Sequence, residues 1–115
     1  MAKEKSTGPG GTGMLLLSLL SEQDRYGYQM IEELRRRSNQ VFDLKAGTLY
    51  PLLHSLEAQG YVSSYDGEAV EGRVRRYYSI TKEGRAALDI KKAEWKAYSG
   101  AVSAVLGGEL HALHA

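Results

Sequence analysis

The sequence predicts a mostly α-helical fold that carries a small β hairpin, and three observations predict it. Three segments show the three- and four-residue apolar spacing of helices: residues 14–20, 26–37 and 48–59. Two runs with strand-like alternation, residues 61–65 and 73–80, flank a polar loop that contains two glycines. A long amphipathic stretch, residues 81–106, indicates a final helix. Three helices, a two-stranded wing and one long C-terminal helix make a winged helix-turn-helix with a helical extension.

The composition allows one domain and limits its chemistry. The chain has 115 residues, enough for one modest core. Its formal net charge is only +1, so any nucleic-acid surface must come from local clustering of positive charge. The absence of cysteine excludes disulfides and thiolate metal sites and fits a cytoplasmic location. The longest apolar run, Met14–Leu20, is far shorter than the roughly 20 residues that span a bilayer, so we expect no membrane partner.

The first two helices are predicted to be short. We expect the polar, glycine-rich residues 1–13 to be flexible. In the second helix, Ile31 and Leu34 give the inward face, together with Tyr28 or Gly27 one turn earlier. Gly27 costs about 1 kcal/mol of helix stability relative to Ala, which indicates that another helix approaches closely there. The arginines that end this helix, Arg35–Arg37, are interpreted as a solvated face. Three apolar residues of the following connection are expected to fill the core: Val41, Phe42 and Leu44.

The third helix is predicted to contact a partner. Pro51 has no N–H and is therefore assigned to the first turn, which places the start of the helix near Gly47 or Thr48, and Thr48 can act as its N-cap. Four leucines share the inward face: Leu49, Leu52, Leu53 and Leu56. Lys45, Thr48 and Tyr50 then cluster at the positive end of the helix dipole, with His54 one turn further, where an anion can dock. The alternative is that Tyr50 is a half-buried core residue and Lys45 a solvated charge.

Positive charge is concentrated in the returning strand and in the first residues of the helix that follows it. Residues 73–85 contain five basic residues and one acid. Strand alternation sends Arg73 and Arg75 to the face opposite Arg76, and all three arginines are candidate DNA contacts. The alternative is a solvated edge strand whose charges prevent aggregation. Tyr26 is equally open, because its hydroxyl could bond a phosphate or simply be the polar end of a core residue.

Several motifs at these spacings together resemble the PadR family of bacterial transcriptional regulators. They are Tyr26-Gly27-Tyr28, Gly47-Thr48-Leu49-Tyr50-Pro51-Leu52-Leu53, Leu56-Glu57-Ala58-Gln59-Gly60-Tyr61-Val62 and Arg75-Arg76-Tyr77-Tyr78-Ser79-Ile80-Thr81-Lys82-Glu83-Gly84. The resemblance covers residues 14–106, and the length is similar to that of the shorter subgroup with one C-terminal helix. It implies a sequence-specific DNA-binding regulator, by expectation a repressor, that binds a pseudo-palindromic operator as a homodimer.

The last helix is predicted to join two copies of the chain. Leu88, Trp95, Tyr98 and Val102 recur on a seven-residue pattern, and nothing else in a small domain can cover them. The resemblance implies the same role and adds that an aromatic residue on this helix can stack a flat ligand. Trp95 and Tyr98 occupy that kind of position, whereas the alternative is packing at the dimer interface alone. A small flat or phenolic inducer is therefore a hypothesis.

No enzyme, metal or cofactor is expected. The three histidines, His54, His111 and His114, offer no complete ligand set, and no phosphate loop or Ser/His/Asp grouping occurs. Two alternative functions remain open, a winged helix that binds only proteins and a small-molecule-binding protein built on the dimer interface. The predicted division is a flexible segment at 1–13, a DNA-binding domain at 14–80, a dimerisation helix at 81–106 and a flexible tail at 107–115.

Overall fold

The computed structural model describes residues 11–107, and within this range the chain forms four helices and three strands. The elements in order are α1 Gly11–Glu22, β1 Arg25–Tyr26, α2 Gly27–Arg37, α3 Ala46–Ala58, β2 Val62–Val70, β3 Arg73–Ile80 and α4 Lys82–Val105. The predicted fold class is confirmed. The first helix begins three residues earlier than expected. Of the segments expected to be flexible, residues 1–10 and 108–115 lie outside the described residues, as do His111 and His114.

The sheet has three antiparallel strands in the order β1-β3-β2. The short strand β1 was not predicted, because two residues are too few to show alternation. It pairs Arg25 with Tyr78 and Tyr26 with Tyr77. The start of α2 is therefore attached to the middle strand of the wing through Tyr26, the N-cap of that helix.

Most of the predicted polar loop of the hairpin is in fact strand, because β2 extends to Val70. The turn consists of Glu71 and Gly72, whose φ angles of 53° and 78° are both positive. Two-residue hairpin loops with positive φ at both positions match the twist of the flanking strands. A register shift between Asp66 and Ala69 marks a β-bulge. The wing is consequently longer and better paired than its composition suggests.

The start of α3 differs from the prediction. Lys45, not Thr48, is the N-cap, and its carbonyl accepts bonds from the N–H groups of Thr48 and Leu49, both at 2.9 Å. Pro51 therefore lies in the second turn, where it cannot donate to the carbonyl of Gly47. Since Gly47 is exposed, water can satisfy that carbonyl. The rule that confines proline to the first turn failed for this reason.

The core lies between the helices and one face of the sheet. Its least exposed large side chains are Leu16, Leu17, Leu20, Met30, Leu49 and Leu53. In α2, Leu34 is buried as predicted, but Met30 is more deeply buried than Ile31. Val41 and Phe42, expected in the core, are 74% and 41% exposed, whereas Leu44 packs against it.

A tight turn after α2 explains the exposure of Val41 and Phe42. Asn39 and Gln40 both have positive φ, 56° and 70°. The Gln40 N–H donates to the Arg35 carbonyl at 2.7 Å, and the Phe42 N–H donates to the Ser38 hydroxyl at 2.8 Å. The chain therefore reverses before these apolar residues can reach the core.

Thr81 is the N-cap of α4, and its hydroxyl accepts a hydrogen bond from the Gly84 N–H at 2.9 Å. Gly84 is buried against the carbonyl of Tyr61. No helix within residues 11–107 has the length and apolarity needed to cross a membrane. In the same range, no group of three or more His, Asp or Glu residues is placed to hold a metal ion.

Candidate nucleic-acid interface

Three of the side chains predicted to contact DNA lie at the start of α3, and His54 lies one turn beyond Tyr50. Lys45, Thr48 and His54 are exposed, and Tyr50 is 38% exposed. The first turn of α3 contains no acidic residue. The Lys45 ammonium and the positive end of the helix dipole therefore lie at the same end of α3, where each favours an anion.

Tyr50 also joins α3 to the start of α2. A Cβ atom at Gly27 would lie 2.7 Å from Cζ of Tyr50 and closer still to its hydroxyl oxygen. A side chain at position 27 would therefore displace the Tyr50 ring, and the prediction that another helix comes close to Gly27 is confirmed by this contact with a side chain of α3. The Tyr50 ring packs on α2 while part of it stays accessible, so Tyr50 is half-buried and its accessible part remains a candidate for DNA contact.

Tyr26 and Arg75 meet beside this contact. The Tyr26 N–H donates to Oε1 of Gln29 at 3.0 Å, which fixes the first turn of α2. The guanidinium carbon of Arg75 lies 4.9 Å from the centroid of the Tyr26 ring, within cation–π range. Nε of Arg75 is buried and has no hydrogen-bond partner among residues 11–107. Arg75 therefore contacts Tyr26, and Tyr50 contacts Gly27, the residue that follows Tyr26 in the chain.

Arg76 and Arg73 lie apart from this group. Arg76 donates to the Ser64 hydroxyl at 3.0 Å and pairs with Asp66 at 3.4 Å. The Ser64 hydroxyl in turn donates to Oε2 of Glu57 at 2.9 Å. Arg76 is therefore on the opposite face of β3, as strand alternation predicts, and acids compensate its charge. Arg73 is exposed at the end of the hairpin beside the turn.

The charge of the wing is mixed. The longer β2 brings acids next to the arginines of β3, so that residues 66–76 contain three acids and three arginines. The three arginines of the returning strand are therefore balanced by three acids in the folded hairpin. Basic character remains only where an arginine lies away from Asp66, Glu68 and Glu71.

Sequence reasoning missed a row of tyrosines that crosses all three strands. Tyr77 pairs in register with Tyr26 on one side and Tyr65 on the other. Its ring centroid lies 5.3 Å from that of Tyr26, edge to face, and 5.7 Å from that of Tyr65, stacked. The Tyr65 hydroxyl donates to Asp24, which raises the pKa of Tyr65. Alternation placed Tyr77 on the Arg75 face, but without β1 its contact with Tyr26 could not be inferred.

The arginines at the end of α2 form ion pairs, which supports their interpretation as a solvated face. Arg37 pairs with Glu22 at 2.6 Å and with Glu33 at 2.8 Å, and Arg36 pairs with Glu33 at 2.8 Å. The hydrogen bond from Arg37 is the main reason that the pKa of Glu22 is held at about 2. Hydrogen bonds from Arg36 and then Arg37 hold the pKa of Glu33 at about 2 as well.

The long helix exposes an apolar stripe beyond its first turns. Trp95, Tyr98 and Val102 are 45%, 48% and 40% exposed, and the ring centroids of Trp95 and Tyr98 lie 5.8 Å apart. Leu88, predicted to belong to the same surface, is only 3% exposed. Leu88 is buried in the core of its own domain, because the first turns of α4 pack against that core. Leu88 is therefore removed from the candidate interface, and the other three residues remain.

Comparisons with known proteins agree in sequence and in fold. Residues 16–90 match the model of the family described as the transcriptional regulator PadR-like family. The transcriptional regulator Rv3488 of Mycobacterium tuberculosis is 38% identical over 96 residues, which cover 84% of this chain and 83% of that protein. A transcriptional regulator from Clostridium thermocellum has a TM-score of 0.75 and 36% identity, and the match covers 82% of this chain and 91% of that one. A PadR family transcription regulator from Clostridium difficile has a TM-score of 0.69 and 34% identity, covering 81% and 95%.

Proposed function

Because this chain belongs to the PadR-like family of transcriptional regulators, we propose that it binds a pseudo-palindromic operator as a homodimer and represses transcription. The matched family and relatives are regulators, not enzymes. The observation that carries the proposal is the exposed start of α3, which presents Lys45, Thr48 and Tyr50 and contacts the first turn of α2 through the Tyr50 ring. In a winged helix-turn-helix, the recognition helix enters the major groove with its N-terminal residues against the DNA.

Phosphate contacts are expected to contribute most of the affinity. The sequence of α3 contains no Arg, Asn or Gln that could bind a base edge through two hydrogen bonds. Thr48 and His54 can contribute single contacts to base edges or phosphates. Lys45 and the dipole of α3 attract phosphate regardless of sequence. We therefore expect moderate sequence preference superimposed on strong salt dependence.

A second copy of the chain is the partner that we propose for the stripe on α4. This helix has 24 residues and is therefore about 36 Å long. Its outer part presents Trp95, Tyr98 and Val102 to solvent, and apolar stripes on long helices are commonly covered by a symmetry-related helix. A dimer also presents two recognition helices, which match half-sites about 34–36 Å apart. DNA as the partner implies a cytoplasmic location.

A small flat inducer is the alternative use of the same stripe. The neighbouring rings of Trp95 and Tyr98 offer two aromatic faces to such a molecule. The ligand would release DNA only if it bound more tightly to a dimer whose spacing misfits the operator. Trp95 is the only tryptophan, so quenching of its fluorescence on titration with planar aromatic compounds reports binding directly.

The proposal is tested by fluorescence anisotropy with a labelled duplex taken from the DNA upstream of the coding region. A scrambled duplex of equal length is the control, and each is titrated at two salt concentrations. Preferential binding that weakens with salt is the expected result. Lys45→Ala should weaken binding to both duplexes, because it removes a phosphate contact. Failure of the unaltered protein on both duplexes, and on a pool of random DNA, would refute DNA binding and favour the protein-interaction function.

A further inference from the structure

We propose that the wing contacts DNA at its base, through Arg75 held over the Tyr26 ring, and that Tyr77 positions this pair. The inference deepens the proposed DNA-binding function and rests on it. Its ligand is a backbone phosphate next to the groove that α3 occupies. Arg75 would touch the phosphate, whereas Tyr77 acts through Tyr26 and Arg75.

Arg75 stacks on an aromatic ring and makes no ion pair among residues 11–107, although the bulge places Gly67 and Glu68 across from it in β2. Its guanidinium carbon lies 4.9 Å from the centroid of Tyr26, and an aromatic face leaves the edge N–H groups of a guanidinium available. Those edge groups suit the planar, bidentate recognition of phosphate. Nε of Arg75 is buried with no partner among residues 11–107. Such donors are rare in folded proteins, and a small rotation of the side chain toward a bound phosphate would satisfy this one.

The row of tyrosines supports Tyr26 through its contact with Tyr77. The Tyr77 ring contacts Tyr26 edge to face with an interplanar angle of 76° and stacks on Tyr65 at 16°. A side chain at Gly67 would run into the Tyr77 ring, so glycine provides the space that this ring occupies. The hydrogen bond between Tyr65 and Asp24 holds the outer end of the row. Tyr77 is therefore confined on both sides and limits the movement of Tyr26.

The tip of the wing is less suited to phosphate. Glu71 lies in the turn itself, and Arg76 is paired with Asp66. Arg73 pairs with Val70 at the end of the hairpin, two residues from Glu71 in the chain. An acid this close repels phosphate and weakens what a single exposed arginine can contribute.

The base of the wing is also continuous with the recognition helix. Tyr26 is adjacent to Gly27, and Gly27 is covered by the Tyr50 ring of α3. A phosphate that Arg75 binds would therefore flank the DNA segment that the start of α3 contacts. This continuity favours DNA over a separate anionic ligand at the same place.

The salt dependence of binding separates Arg75 from the other wing arginines. Each phosphate contact contributes about 0.9 to the slope of log K against log salt, so Arg75→Ala should lower the slope of a dimer by about 1.8. Between about 50 and 200 mM salt, the unaltered protein should then lose about 12-fold more affinity than the variant. Arg76→Ala, the matched control on the opposite face, should leave the slope unchanged. An unchanged slope in Arg75→Ala, with a lowered slope in Arg73→Ala, would overturn the inference in favour of the tip.

A double-mutant cycle tests the positioning role of Tyr77. Tyr77→Leu should lower the DNA affinity and the salt slope almost as much as Arg75→Ala does. The double variant should lose little more than Arg75→Ala alone. Tyr77→Phe keeps the ring and should behave as the unaltered protein. If Tyr77→Leu unfolds at a lower temperature than the unaltered protein, Tyr26→Leu, at the edge of the sheet, repeats the test. Additive losses from Tyr77 and Arg75, or from Tyr26 and Arg75, would overturn the positioning role. Absence of DNA binding in the unaltered protein would instead refute the proposed function, which a failure of these variants alone would leave intact.

Discussion

Gly84→Ala should destabilise the protein strongly, although alanine is the better helix former. Gly84 is buried at the third position of α4. A Cβ atom there would lie 2.8 Å from Cγ1 of Ile80 and 3.0 Å from the carbonyl carbon of Tyr61, with the carbonyl oxygen closer still. The Tyr61 backbone cannot move freely, because its carbonyl also accepts the Thr81 N–H at 3.0 Å.

The size of the effect follows from two opposing terms. Overpacking typically costs about 1–3 kcal/mol, and a clash with backbone belongs at or above the upper end of that range. Replacing glycine by alanine in a helix returns about 1 kcal/mol. We therefore expect a net loss of about 2 kcal/mol or more, which corresponds to a melting temperature lower by about 8–16 °C for a domain of this size.

Gly100→Ala is the matched control in the same helix. Nothing lies within 4 Å of a Cβ atom at Gly100, so this change should stabilise the helix by about 0.5–1 kcal/mol. Urea unfolding followed by circular dichroism measures both variants, at one fixed protein concentration because a dimer's stability depends on it. Equal stability of Gly84→Ala and the unaltered protein would refute the close approach of α4 to Tyr61.

Three other predictions concern the ion pairs, the turn and the long helix. Folding lowers the pKa of Glu22 to about 2 from 4.5, so the stability that ionised Glu22 contributes is complete above about pH 4.5 and is lost as the pH falls toward 2. Between pH 7 and about 3, the melting temperature of Arg37→Ala should therefore decrease less than that of the unaltered protein. Glu71→Gly should stabilise the hairpin by about 1 kcal/mol, because glycine adopts the positive φ of this position without strain, whereas Glu71→Gln should not. Equal melting temperatures of Glu71→Gly and the unaltered protein would contradict the turn geometry. Trp95→Ala should raise the dimer dissociation constant by at least about tenfold in sedimentation, while Ile90→Ala, off the stripe, should not; unaltered dimerisation in both would remove the stripe from the interface.

Local patterns predicted much of the fold, because leucine spacing and strand parity reflect burial directly. Leu49, Leu53 and Leu56 are buried as their spacing predicts, and Arg75 and Arg76 do lie on opposite faces of β3. What failed depended on contacts distant in sequence. The strand β1 exists only because Tyr77 and Tyr78 are beside it.

Two further errors came from rules that hold on average. The heptad spacing of Leu88 could not show whether its own domain or a second copy covers it, and the domain does. Proline was assigned to the first turn of α3, but exposure of Gly47 allows Pro51 in the second turn. At the candidate interface, the individual residues could be predicted, but the contact between Arg75 and Tyr26 could not.

Hydroxyl-radical footprinting of the operator tests the central proposal most directly, because it reports which DNA surface a dimer of α3 helices covers. The operator comes from the upstream duplex or from selected random DNA, and Lys45→Ala serves as the comparison. Two symmetry-related protected patches on one face of the duplex, with centres about 34–36 Å apart, are the expected result. A single patch would contradict the dimeric arrangement. The absence of protection at protein concentrations that saturate the operator duplex would contradict DNA recognition by α3.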